Sequence, residues 1–333
     1  MGRKLKRLPY TIGVDLGGTK VLICLFNRAC KVLATIKTKT GIERGEKYFI
    51  DTLAKSIHGV MDEAEVQFEH LVGIGVGSPG IIDIKLGTVI SSPNIPFLKN
   101  YPLREKLRKL FRVPIWVEND VNAGLYGEYQ FGAGRGHRDI VGVFPGTGIG
   151  GALILQGKLY RGAFGAAGEI GHMIVDPRGP LCGCGNRGCL EAFAGRLAIS
   201  SEAALLALRQ QAPKLFKLTG ADLSQIKSGT LRKAIKAGDR VIKKLVCTKA
   251  KLIGMVMANI ANLLNPELFV LGGGLVEAMP EIFLKQTREA IKNYAMKPVS
   301  KQVKIAVARL GDFAIVKGAS KMALEFSVGN KNW

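Results

Sequence analysis

YTIGVDLGGTKVLICLF, residues Tyr10–Phe26, is an apolar run that breaks at Asp15-Leu16-Gly17-Gly18-Thr19-Lys20 and resumes at Val21. Large apolar and β-branched residues on both sides of a glycine pair read as strand, glycine turn, strand. The plan returns at Ile140–Phe144, followed by Pro145-Gly146-Thr147-Gly148-Ile149-Gly150-Gly151 and then Ala152–Leu155. The pattern repeats although the residues differ, which predicts two related α/β lobes with small ligands held in a cleft between them.

Outward from these hairpins, the spacing predicts a helix over Tyr48–Glu65 and a short buried strand at Leu71–Val76 running into Gly77-Ser78-Pro79-Gly80. A basic amphipathic helix over Pro102–Phe111, a strand at Val113–Glu118 and a helix from Val121 to Tyr129 follow. Ile242, Leu245, Val246, Ile253, Val256, Met257, Ile260 and Leu264 form one stripe of a long core-facing helix, Arg240–Leu264, that stops at Asn265-Pro266. Leu268–Leu271 then delivers Gly272-Gly273-Gly274 to a helix starting near Leu275, and Phe313–Phe326 is the last helix. Strands alternating with helices imply a largely parallel or mixed sheet with covered faces. The expected division is a small lobe over 1–118, with helix 313–333 packing back on it, and a large lobe over 119–312.

Composition narrows the class. The chain has 333 residues, enough for two domains, and its 47% hydrophobic content is too high for a disordered protein. Glycine, 42 of 333, sits in clusters beside apolar runs, as in backbone built to approach a ligand. The 48 Lys+Arg against 26 Asp+Glu, net +22, invite a nucleic-acid reading. The positive residues are, however, spread over stretches such as Leu103–Arg112 and Thr230–Lys251, without an aromatic-interleaved groove or a helix-turn-helix. They read first as solvated surface and second as attraction for polyanionic ligands. Met1–Arg7 fails as a signal-peptide start because Asp15 and Lys20 interrupt the apolar stretch, and Leu252–Leu264 is too short to span a bilayer. The expectation is a soluble cytoplasmic protein with neither membrane nor nucleic acid as partner. In that setting three cysteines within eight residues point to metal rather than disulfides.

Four constellations carry chemistry. Asp15 with Gly17, Gly18, Thr19 and Lys20 puts a carboxylate at a strand end beside bare N–H groups, a hydroxyl and an ammonium, which suits Mg²⁺ and phosphate as well as a plain hairpin with a surface lysine. Gly146, Thr147 and Gly148 open a second loop of that type, and Gly272–Gly274 can admit a nucleoside or serve tight strand-to-helix packing. The Asp15–Lys20 loop has the spacing of neither a P-loop nor a dinucleotide fold. Glu118-Asn119-Asp120 lies where a strand meets a helix, so Asp120 reads as a helix cap or as a general base, with Asn119 orienting the same substrate. His172 followed by Cys182, Cys184 and Cys189 has the donor set of a closed Cys₃His zinc site, with free buried cysteines as the alternative. Glu169 and Glu191 flank that set, so a metal there would hold two carboxylates and the second imidazole nitrogen towards a polar ligand. Paired carboxylates also suit a glycosidase, which would leave the phosphate-type loops unexplained.

In order and spacing, Asp15–Lys20, Glu118-Asn119-Asp120, Gly146–Gly151, Gly168-Glu169-Ile170-Gly171-His172 and the Cys182–Glu191 run resemble the ROK group of sugar kinases and repressors, within the actin-like ATPase superfamily. The resemblance covers about residues 10–325. It implies two actin-like, ribonuclease H-like α/β lobes with mixed sheets flanking a central cleft, ATP with Mg²⁺, a structural Zn²⁺, a homodimer, and a hexose phosphorylated on its 6-hydroxyl. By it Asp120 is the base, while Asn119, Glu169, His172 and Glu191 bind sugar hydroxyls, Gly80 and Asn94 lie in sugar-facing loops, and Gly273 and Gly274 face the nucleotide. Some members are repressors with a DNA-binding segment ahead of the first strand, and the roughly ten residues before it here favour the kinase. Glucose is the first substrate. N-acetylmannosamine, N-acetylglucosamine, fructose or allose as acceptor, polyphosphate as donor, and a sugar-sensing regulator without turnover are the alternatives.

Overall fold

The computed structural model describes residues 9–220 and 222–329; the basic segment Met1–Arg7 and the end of the expected 313–333 helix lie outside the described residues. The strands are β1 (Tyr10–Leu16), β2 (Lys20–Phe26), β3 (Val32–Lys39), β4 (Leu71–Ser78), β5 (Ile81–Asp83), β6 (Thr88–Ser91), β7 (Ile115–Asn119), β8 (Ile140–Pro145), β9 (Ile149–Leu155), β10 (Lys158–Tyr160), β11 (Leu268–Leu271) and β12 (Lys304–Val307). The helices are α1 (Gly45–Glu63), α2 (Leu103–Phe111), α3 (Asp120–Phe131), α4 (Leu190–Ala194), α5 (Arg196–Leu208), α6 (Pro213–Thr219), α7 (Ser228–Lys236), α8 (Arg240–Leu264), α9 (Gly274–Ala278), α10 (Pro280–Tyr294), α11 (Lys297–Gln302) and α12 (Phe313–Ser327). No helix among the described residues is long and apolar enough to cross a membrane.

Two five-stranded sheets have the orders β3-β2-β1-β4-β7 and β10-β9-β8-β11-β12. Counted within each sheet, both run third, second, first, fourth, fifth, so the pattern repeat read in the sequence is a repeat of topology. In the first sheet β1–β2 and β2–β3 are antiparallel, while β1–β4 and β4–β7 are parallel. In the second, β11 lies parallel to both β8 and β12. The chain forms two compact units. One takes in the described residues up to Gly136, Ile154–Ala167 and those from Asp312; the other comprises His137–Leu153 and Gly168–Gly311.

In the first unit the period-2 alternation of strands sorts side chains to two faces. Ile12, Val14, Leu16, Val21, Ile23 and Leu25 join a buried cluster with Phe49, Leu53 and Ile57 of α1 and Leu103 and Leu107 of α2. Leu22, Cys24 and Phe26 pack the opposite way, with Val316 of α12. Glycine lets α12 settle on that face: a Cβ on Gly13 or Gly75 would strike the backbone carbonyls of Val316 or Ala319, and one on Gly318 would strike that of Ala123 in α3. In the second unit α8 buries the expected stripe from Ile242 to Ile260, its last member Leu264 being half-buried at the helix end, and Gly254 brings its backbone against Ala290 and Thr287 of α10. The second glycine turn is shorter than the sequence suggests, because Ile149 already begins β9 and only Gly146–Gly148 lie in the bend. Gly150 and Gly151 therefore belong to β9, where Gly151 packs against the Gly168 carbonyl and Ile170.

Candidate active site

In the first unit the register assembles one set of groups at the carboxyl ends of parallel strands, where open α/β sheets hold their ligands. Asp15 of β1 lies beside Gly77 of β4, and Gly77 and Ser78 lie beside Glu118 and Asn119 of β7. The β1–β2 turn is closed by the Gly17 N–H donating to the Lys20 carbonyl, and Thr40 grips it, its hydroxyl donating to the Gly17 carbonyl at 2.6 Å and its N–H to the Thr19 carbonyl at 3.0 Å. Thr40 is fully buried and was missed in the sequence, where nothing but a threonine at a strand end marks it. Thr19 and Lys20 are exposed. Asn94 backs onto the same turn, its carbonyl 2.8 Å from where a Gly18 Cβ would stand.

Asn119 caps α3, accepting the Asn122 N–H on Oδ1 at 3.0 Å, while its Nδ2 donates to the Gly80 carbonyl at 3.0 Å. Gly80 needs to be glycine there, since its φ is +106° and a side chain would strike the Ser91 carbonyl. The cap expected of Asp120 thus belongs to Asn119. Asp120 is the first residue of α3, with Oδ1 accepting the Val121 N–H at 2.9 Å. Burial and the nearby charges of Asp120 and Asp312 push the Asp15 carboxyl up from 3.8 to about 7, with Lys37 opposing them and donating to Asp312 at 2.8 Å. An acidic group so poorly compensated fits a divalent cation at Asp15.

The Asp15 shift also fixes a pH dependence. The folded state holds a proton between pH 3.8 and about 7 that the unfolded chain releases, so stability falls as pH rises through that window. The full shift corresponds to at most ~4 kcal/mol. Asp15→Asn, measured by denaturant unfolding without nucleotide or magnesium, is expected to match the wild type near pH 4 and to be the more stable protein at pH 8. Equal stability at both pH values would refute the assignment.

In the second unit the Gly146–Gly148 turn is held by two helices. The Gly146 N–H donates to the Gly148 carbonyl at 2.8 Å, the Arg196 N–H of α5 to the Gly146 carbonyl at 2.9 Å, and the Arg196 guanidinium to the Thr147 hydroxyl at 3.1 Å. The Thr147 oxygen accepts in that bond and keeps its own proton to donate. Glu191 of α4 accepts the Ile149 N–H at 2.8 Å, and a Cβ at Gly148 would strike its carboxylate. Arg196 went unread in the sequence, since only folding brings it to the turn. Gly272 and Gly273 pack closely on Phe144 and Pro145, whereas a Cβ at Gly274 would meet the Ser228 hydroxyl in ordinary contact at 3.8 Å.

His172, Cys182, Cys184 and Cys189 bring one donor atom each within 4.8 Å of one another. Cys182 Sγ lies 3.6 Å from His172 Nδ1, and Cys184 Sγ 3.6 Å from Cys189 Sγ. Those separations suit the edges of a tetrahedron with Zn–S near ~2.3 Å and Zn–N near ~2.0 Å, so the set fits a closed zinc site. Backbone bonds from the Cys182 N–H to the Asn186 carbonyl (2.8 Å) and from the Gly185 N–H to the Cys182 carbonyl (3.0 Å) curl the loop. Gly185 and Gly188 take the left-handed φ values of +92° and +78° that the bend requires. Burial, reinforced by the neighbouring thiols, pushes Cys189 up to about 12, while the Asn186 backbone lowers Cys184. A metal bound here must therefore displace protons. His172 Nε2 is turned the other way, 3.9 Å from Glu169 Oε2. Burial raises the Glu169 carboxyl, His172 opposing and Glu191 adding.

A sequence model of the ROK family matches residues 11–325. A glucokinase of Thermotoga maritima is 35% identical over 314 residues, which are 94% of this chain and 97% of that one. A xylose repressor of Caldicellulosiruptor bescii is 32% identical over 96% of this chain and 79% of its own length. Among solved structures, a ROK family glucokinase from Streptomyces griseus in complex with glucose and AMPPNP is similar at a TM-score of 0.81 and 32% identity, over 95% of this chain and 99% of that one. The expected pair of actin-like α/β lobes with mixed sheets is borne out. From Thr11 to Glu325 this chain belongs to the ROK family.

Proposed function

We propose that the protein is an ATP-dependent hexokinase that phosphorylates the 6-hydroxyl of a hexose, glucose first among them. The observation that carries this reading is Asp120, set at the start of α3 by the Asn119 cap and close enough for its charge to raise Asp15. Similarity to glucokinases over nearly the whole chain supports it. The hexose 6-oxygen attacks the γ-phosphorus of ATP and its proton passes to Asp120. The new O–P bond forms as the bond to the β,γ-bridging oxygen breaks, and ADP leaves with that electron pair. Asn119, Glu169, His172 through Nε2, and Glu191 bind the remaining sugar hydroxyls, with Gly80 and Asn94 shaping the approach. Gly18, Thr19, Lys20, Thr147 and Gly148 donate to phosphates, Gly17 and Gly146, whose N–H groups close the two turns, let the backbone approach them, and Gly273 and Gly274 admit the nucleoside. Mg²⁺, held by Asp15 directly or through water, would neutralise phosphate charge. Zn²⁺ on His172, Cys182, Cys184 and Cys189 would fix the Glu169–His172 and Cys189–Glu191 segments. A cytoplasmic homodimer completes the reading, supported by a thiol set suited to a reducing compartment and by the prevalence of two-fold dimers.

ADP release from Mg-ATP with glucose, mannose, fructose, N-acetylglucosamine or N-acetylmannosamine tests it. Turnover on glucose is expected to exceed that on every other sugar. Preference for an acetylated sugar would keep the mechanism and change the substrate. Silence on all of them would overturn the ATP-kinase reading and favour polyphosphate as donor, or sugar binding without turnover, as in a regulator akin to the similar repressors.

A further inference from the structure

Glu118, one residue before Asn119, is 1% exposed, and its carboxylate has partners on both oxygens. Oε2 accepts from Arg161 Nε at 2.9 Å and from its Nη2 at 2.6 Å. Oε1 accepts from the Asn119 N–H and from Asn122 Nδ2, each at 3.2 Å. Arg161 follows β10, is 14% exposed, and lies 6.0 Å from the Trp116 ring. Its loop is closed by the Ala167 N–H donating to the Arg161 carbonyl at 3.0 Å. A buried carboxylate without its cation does not stay in place: it takes up a proton or repacks. Here the groups that would move with it are the Asn119 N–H and Asn122 side chain, the two ends of the junction from which Asp120 emerges.

We propose that Arg161 is a positioning residue for phosphoryl transfer, acting through Glu118 to set the β7–α3 junction that presents Asn119 and Asp120. The inference rests on the hexokinase reading and extends it to a residue whose guanidinium is engaged by the Glu118 carboxylate. It differs from a purely structural role in what it predicts for kinetics. A catalytic group displaced by about 1 Å costs on the order of 100-fold in rate, whereas hexose binding loses at most the Asn119 contact, because Glu169, His172 and Glu191 lie outside the junction.

The test is steady-state kinetics of the full chain carrying Arg161→Met, Arg161→Lys, Glu118→Gln and the Glu118→Gln/Arg161→Met pair, with melting curves and metal content as folding checks. Arg161→Met is expected to lower kcat by about 30- to 100-fold while hexose KM rises by no more than about tenfold, the weakening of one Asn119 hydrogen bond. Arg161→Lys, which keeps a cation and a donor, should recover kcat to within about tenfold of the wild type. The double variant should be no slower than Arg161→Met alone, because the two side chains act as one unit. An Arg161→Met kcat within about twofold of the wild type would overturn the proposal, as would losses that multiply in the double variant or a lysine variant as slow as the methionine one. Wild type and Asp120→Asn run alongside: an inactive wild type removes the hexokinase reading and this inference with it, while an active wild type with an unaffected Arg161→Met removes this inference alone.

Discussion

Asp120→Asn is expected to lower kcat for hexose phosphorylation by about 1,000-fold or more, in the upper range for loss of a general base, with hexose affinity close to that of the wild type. The substitution is nearly isosteric, and an asparagine oxygen can still accept the Val121 N–H that Asp120 Oδ1 accepts at 2.9 Å. The helix start is also retained, because the cap is Asn119. On the proposed mechanism, what disappears is the group that takes the attacking hydroxyl's proton, an interaction made only as the transition state forms, so the loss falls on kcat and not on binding. A second readout follows from charge. Asp120 is one of the groups that raise Asp15, so the pH at which the folded protein releases the Asp15 proton should move down in the variant. Stopped-flow or coupled ADP assays with isothermal titration of the sugar decide the first point, and pH-dependent unfolding the second. Full activity in Asp120→Asn would sink the base assignment.

The second large effect is expected on the metal. Cys189→Ser should reduce bound zinc from about one equivalent per chain to none by elemental analysis, and raise hexose KM tenfold or more. Cys189 is fully buried, its backbone bridges to Ile174, and it immediately precedes α4, which carries Glu191. His172 at the other end of the donor set lies three residues from Glu169. With the metal bound, Nδ1 faces the thiols and Nε2 is held towards Glu169. Without it, a serine hydroxyl cannot supply a thiolate to the ion, and the loop loses the metal cross-link that reinforces the Ile174–Cys189 backbone bridge between the two carboxylate segments. Intact protein that carries no zinc would refute the site, and a zinc-free variant with an unchanged hexose KM would refute its link to the sugar.

Legibility followed the range of the interaction. The strand, glycine turn, strand plan needs only neighbours in sequence, and β1, β2, β8, β11 and α8 fall where alternation and helical spacing put them. The donor set of the metal cluster is legible for the same reason, since three of its four ligands lie within eight residues. α10 was legible in principle: Phe283, Thr287, Ala290 and Ile291 form a stripe after Pro280 at the first turn, yet it went unread among charged residues. Exposed β3, with its alternation broken by lysines and threonines, gives little signal of its own and is defined by pairing with β2.

The residue types of the candidate site, the two-lobe repeat and the zinc-type donor set follow from the sequence alone, because each rests on local spacing or on the chemistry of side chains a few positions apart. Tertiary structure decided which residue caps α3, which groups raise Asp15, that Thr40 and Arg196 brace the two glycine turns, and that Arg161 neutralises Glu118. The cap joins Asn119 to Asn122, but the bracing and neutralising pairs join positions 23 to 49 residues apart, and Asp15 meets Asp120 and Asp312 from about a third of the chain or more away. No local pattern encodes them, since a carboxylate's partner is set by which strand ends the sheet register brings side by side and by how little water is left between them.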